Sequence, residues 1–134
     1  MPPILQRRCR MKIKDAIDRA DEMQPNAFSQ HDKIKWLSSV ESIIFRKIIV
    51  THEGHHGHFH GFNDETDLFK TELIVPEPWD ELYVHWLIAQ MALNNKEYAA
   101  YNMHVQLYDT LYEDFSKWYT RNRMPKSAQK EVFW

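Results

Sequence analysis

The chain reads as a mainly α protein: a small bundle of about four helices, with a long loop or β-hairpin arm between the second and third. Three observations predict this. Tyr98, Tyr101, Val105, Tyr108, Tyr112, Phe115 and Tyr119 recur at alternating spacings of 3 and 4, a heptad-like seam held over about six turns. Ile34, Leu37, Val40, Ile44 and Ile48 make a second apolar stripe at helical spacing. Between them, from Val50 to Glu72, periodicity vanishes, and all three glycines and five of the eight histidines gather there.

Taken in order, residues 1–10 hold two prolines and three arginines without periodicity. They are expected to be a disordered extension or a mis-assigned start, with Met11 as a natural beginning. A short helix fits Ile13 to Met23, with Ile13, Ala16, Ile17 and Ala20 on one face, and Pro25-Asn26 stopping it. Ser29 followed by Asp32 resembles a capping pair opening a second helix to about Ile48. In the loop, strands are expected near Phe59 to Phe62 and Thr71 to Val75. Pro76 and Pro78 precede a third helix marked by Trp79, Leu82, Tyr83, Trp86, Leu87 and Met91, ending at Asn94-Asn95. The aromatic seam forms the fourth helix, closed by Met124-Pro125. Its Tyr and Phe side chains are expected to pack against the second and third helices, because dimeric coiled coils favour branched aliphatics in such a seam.

Composition bounds the rest. At 134 residues, 43% hydrophobic and 27% charged, the chain suits one globular domain, here residues 11–124. The single Cys9 makes no internal disulfide. The longest uncharged stretch, Leu82 to Asn95, is too short to cross a bilayer, and a cytoplasmic protein without membrane contact is expected. Charge is unevenly placed: residues 1–14 are purely basic, Asp64 to Glu81 is acidic, and Lys117 to Lys130 turns basic again. Solvated loops account for this pattern, and so does a subunit whose acidic loop meets a basic neighbour.

The histidines His52, His55, His56, His58 and His60 are the one constellation with metal-ligand chemistry. Neutral imidazole suits zinc, copper or nickel, and His55, His56, His58 and His60 are the candidate ligands, with zinc or another transition metal as the cofactor on that reading. An HExxH site at His52-Glu53 requires a helix, which Gly54 and Gly57 oppose. The nucleophile and phosphate-binding motifs GxSxG and GxxxxGK[ST] are missing from the sequence, so no enzyme activity and no cofactor are expected on the main reading. The slightly acidic balance argues against sequence-specific nucleic-acid binding.

The run Glu72-Leu73-Ile74-Val75-Pro76-Glu77-Pro78-Trp79-Asp80-Glu81-Leu82-Tyr83 resembles the LLVPxPYDELY signature of head–tail adaptor (connector) proteins of long-tailed bacteriophages of Gram-positive bacteria and their prophages. Thr51-His52-Glu53-Gly54, Asn95, Glu97-Tyr98, Tyr101-Asn102, Tyr108, Phe115, Trp118-Tyr119-Thr120-Arg121 and Met124-Pro125 continue the pattern, which covers about Ile48 to Lys126. The resemblance implies a structural virion protein: a helical subunit of a ring, twelvefold by expectation, that assembles with itself beneath the portal. It implies a portal protein above, a head-completion (stopper) or tail protein below, and DNA passing through the channel without sequence-specific contact. It places the protein in the host cytoplasm during assembly and at the virion head–tail junction thereafter. On it, residues 125–134 form a C-terminal docking arm, with Met124, Pro125, Lys126, Val132, Phe133 and Trp134 as the portal-binding residues. The histidines of the loop depart from the family's pattern.

Overall fold

A computed structural model describes residues 10–51 and 58–122 of the chain. The architecture is mainly helical, with two short strands. The order is β1 (Arg10–Lys12), α1 (Ile13–Met23), α2 (Gln30–Ile44), a single wide π-turn (Phe45–Ile49), β2 (Glu72–Pro76), α3 (Glu81–Asn94) and α4 (Tyr98–Asn122).

Helix α1 buries Ile13, Ala16, Ile17 and Ala20, the face its spacing predicts. Its first amides are satisfied by the distant loop: Ile13 donates to the Thr71 carbonyl at 3.1 Å and Lys14 to that of Leu68 at 3.0 Å. Asp15 reaches back to accept from the Lys12 amide at 3.1 Å. At the far end Asn26 bonds Asp21 and receives the Phe28 amide, a local turn that ends α1 and aims the chain at α2. The Ser29 hydroxyl then accepts from the Asp32 amide at 3.1 Å, the predicted N-cap.

Helix α2 stops at Ile44 rather than continuing regularly to Ile48. The next turn widens, with the Val50 amide donating to the Phe45 carbonyl five residues back at 2.9 Å. Ile44 and Ile48 both remain buried, so the wider turn keeps the apolar stripe inward.

Between α2 and α3 the chain forms the long loop of the prediction, and the strand it carries takes part in a small two-stranded sheet. Residues 59–62 make no strand, because the Phe62 amide donates to the Ser38 hydroxyl on α2 at 3.0 Å. Gly61, at φ 87°, allows this approach; a β-carbon there would sit 3.0 Å from the same hydroxyl. Strand β2 forms close to its predicted place but pairs antiparallel with β1, Arg10 opposite Pro76 and Lys12 opposite Glu72. Arg10, placed by the sequence reading in a disordered extension, is therefore the first residue of the sheet. Residues 1–9 lie outside the described residues.

Helix α3 is the centre of the molecule. Leu82, Tyr83, Val84, Leu87, Ile88, Ala89, Met91 and Ala92 are buried around most of its circumference, against α1, α2 and α4. The turn into α4 places Lys96 at φ 61°, while the amides of Asn95, Lys96 and Glu97 return to carbonyls of α3. The seam of α4 is buried at Tyr108, Phe115 and Tyr119, half-buried at Tyr101, Val105 and Tyr112, and open at Tyr98. Its aromatic contacts come from Trp86, 5.2 Å from Tyr108, and from Trp79, 5.8 Å from Phe115 and 4.9 Å from Trp118. Of the two expected partners, α3 is the principal one.

Candidate functional site

The run from Glu72 to Tyr83 forms one connected unit built around a buried carboxylate. Glu41, on the inward face of α2, is 1% exposed. One of its oxygens accepts the Tyr83 hydroxyl at 2.6 Å, and the other accepts the Ile74 amide at 2.8 Å. The Tyr83 oxygen in turn receives the Val75 amide at 2.9 Å. The β1–β2 register is irregular between Arg10 and Lys12, where two steps on β1 face four on β2. Both amides lie within that bulge, so α2 and α3 supply acceptors for adjacent backbone groups of β2.

Burial pushes the Glu41 carboxyl up to about 7, against the lowering effect of its bonds to Tyr83 and Ile74. Burial likewise drives the Tyr83 hydroxyl well above its ordinary range, with the Glu41 charge adding to the effect. The node therefore holds one neutral, hydrogen-bonded acid through much of the acidic pH range. It is closed to solvent and binds backbone, which makes it an anchor for the signature segment.

The end of that segment faces α1. Asp80, half-buried, is raised by burial and then by Glu81 and Glu77, while Glu81 is paired with Arg19 of α1. With Asp15, Asp18 and Glu22, Asp80 lines a shallow cleft beside Arg10 and Arg19. On the other side of α2, an open groove of about 510 Å³ runs between His31, Lys35, Ser38, Ser39 and the Phe62–Asp64 turn. His31 Nδ1 meets Asp64 there at 2.9 Å.

Of the histidines proposed as metal ligands, His58 and His60 are exposed, with ring centroids 6.1 Å apart. His55 and His56 lie outside the described residues, as do Met124, Pro125, Lys126, Val132, Phe133 and Trp134 of the expected docking arm. Among the described residues, no group of three or more His, Cys, Asp or Glu side chains is arranged to hold a metal ion.

Two histidines outside the loop do come together. His85 on α3 and His104 on α4 are half-buried, with their Nδ1 atoms 3.1 Å apart and ring centroids 5.3 Å apart. Burial lowers both below the usual histidine value of 6.5, and the neighbouring ring lowers His85 further. A signal for this pair existed in the sequence: each histidine falls within a helix otherwise patterned for burial.

Apolar side chains are left open at the end of α3 and on two sides of the first half of α4. Tyr98 is 57% exposed, Met103 52% and Leu107 42%, with Leu93 also open at the end of α3. Among the described residues, no helix is long and apolar enough to cross a membrane. No family model matches the chain, and no curated protein or solved structure is significantly similar to it.

Proposed function

We propose that the protein is a head–tail adaptor subunit that assembles as a ring beneath a phage portal and works by binding rather than turnover. The observation that supports this best is that Glu72 to Tyr83, the run carrying the resemblance, behaves as one structural unit. Its strand is fastened to Glu41 and Tyr83, and its Trp79 packs on Phe115 and Trp118 of α4. The motif is thus a folding element that sets the angle between strand pair and helices. A family of assembly subunits would share such an element while its contact surfaces diverge.

The exposed side chains of Met103 and Leu107, one turn apart on α4, support the same reading, because apolar surface left open on a helix suits burial on assembly. The portal contact is assigned to Met124–Trp134, and the opposite side of the ring to a stopper or tail protein. Electron microscopy of lysates from a producing phage with this gene deleted tests the proposal. DNA-filled or leaking heads beside free tails are the expected result; intact, infectious particles would overturn it.

A further inference from the structure

We propose that His85 and His104 form a two-imidazole chelating site for a divalent transition-metal ion of the zinc, nickel and copper class, seated between α3 and α4. The two Nδ1 atoms approach to 3.1 Å across the helix pair. Two nitrogens bound to one such ion, with bonds of about 2.0–2.1 Å subtending roughly 90–109°, lie about 2.9–3.4 Å apart. The metal-free spacing already falls in that interval, so binding requires the rings to turn about their side-chain bonds rather than to change their separation.

The backbone around the pair is held in place. Met91 and Ala92 are buried beyond His85 on α3, and Tyr108, one turn after His104, packs on Trp86. Both rings are shifted toward the neutral form that ligates metal. The 3.1 Å contact is a hydrogen bond when one Nδ1 carries the proton and the other presents its lone pair. On metal binding that proton relocates through solvent to Nε2 of the same ring, both Nδ1 lone pairs turn to the ion, and both imidazoles stay neutral. No third protein ligand stands beside them among the described residues, so water completes the coordination and the site remains open to exchange. This site is separate from the histidine-rich loop and independent of the adaptor proposal.

The loop must be silenced to test it. In the full chain, His52, His55, His56, His58 and His60 are replaced by Asn, and ZnCl₂ is titrated calorimetrically, with CuCl₂ followed by electron paramagnetic resonance. One equivalent of metal and nitrogen couplings from two imidazoles are expected. His85→Asn and His104→Asn, which keep a polar atom near the Nδ1 position but supply a poor ligand, should each weaken binding by roughly tenfold or more. A second measurement needs no variant at the pair: long-range ¹H–¹⁵N spectra of the loop-substituted chain should show zinc-induced shifts at Nδ1 of both rings. No saturable binding below about 1 mM, binding indifferent to both substitutions, or shifts confined to other groups would overturn the proposal.

Discussion

Tyr83 donates its hydroxyl to the carboxylate of Glu41 at 2.6 Å while the same oxygen accepts the Val75 amide at 2.9 Å. One side chain thus links α2, α3 and β2. Tyr83→Phe removes both bonds and leaves a buried amide and a buried carboxyl each short of a partner. A loss of about 1–3 kcal/mol in urea unfolding is expected. An unchanged midpoint would mean that water or a shifted backbone replaces the hydroxyl.

Glu41 makes stability depend on pH. Its folded value is about 7 against an ordinary 4.5, so the folded state binds the proton more tightly than the unfolded one. The contribution is full below about 4.5 and is lost as pH rises through 7. The total is on the order of 3 kcal/mol at 1.36 kcal/mol per unit. Glu41→Gln should flatten the stability profile across that window, as read from denaturation midpoints between pH 4.5 and 8. A parallel profile in the variant would contradict the assignment.

The histidine pair acts in the opposite direction. Both values lie below 6.5 in the folded chain, so charging them as pH falls below that value favours the unfolded state. His85→Asn should therefore lose less stability than the parent between pH 6.5 and 5, measured as a difference curve. The two variants separate the acidic and alkaline limbs of one profile.

The seam of α4 predicts a gradient of mutational cost. Phe115→Ala and Tyr108→Ala remove buried rings and should each cost about 3–5 kcal/mol. Tyr112→Ala, half-buried, should cost less, and Tyr98→Ala should stay within about 0.5 kcal/mol. Equal losses along the whole helix would mean that its first half is covered in solution by another molecule.

Met103→Glu with Leu107→Glu places charge on the exposed apolar pair of α4. Thermal stability should be unchanged within about 0.5 kcal/mol, while a phage carrying the double variant should accumulate unjoined heads and tails. Deleting residues 124–134 should likewise abolish co-sedimentation with portal rings. Normal particle yields from the double variant would exclude Met103 and Leu107 from assembly.

Lys96 sits at φ 61° in the turn between α3 and α4, where a β-carbon is strained. Lys96→Gly should raise the unfolding midpoint by the equivalent of about 1 kcal/mol. A lower midpoint would show that the lysine stem contributes packing that outweighs the strain.

Much of the fold was legible because helices announce themselves locally. The spacing of Ile13, Ala16, Ile17 and Ala20, the Ser29–Asp32 cap and the prolines before α3 each report on a few neighbouring residues, and each element formed about where it was expected. The partner of strand β2 was not legible, for the complementary reason. Strand β2 carries a strand-like pattern, but a pattern does not name its partner. Lys12 lies 60 residues from Glu72, and their pairing depends on α1 and the loop meeting in space.

Sequence by itself determined which residues would be helical and which face of each helix would be apolar, because periodicity is a property of adjacent turns. Tertiary structure alone decided what covers those faces. It buried the second half of the aromatic seam under Trp79 and Trp86 and left Tyr98, Met103 and Leu107 open. It turned Glu41, an acid in an apolar stripe, into the acceptor for β2, and it set His85 against His104. Each of these depends on how separate elements dock, and the energy that selects the docking is spread over contacts far apart in the chain.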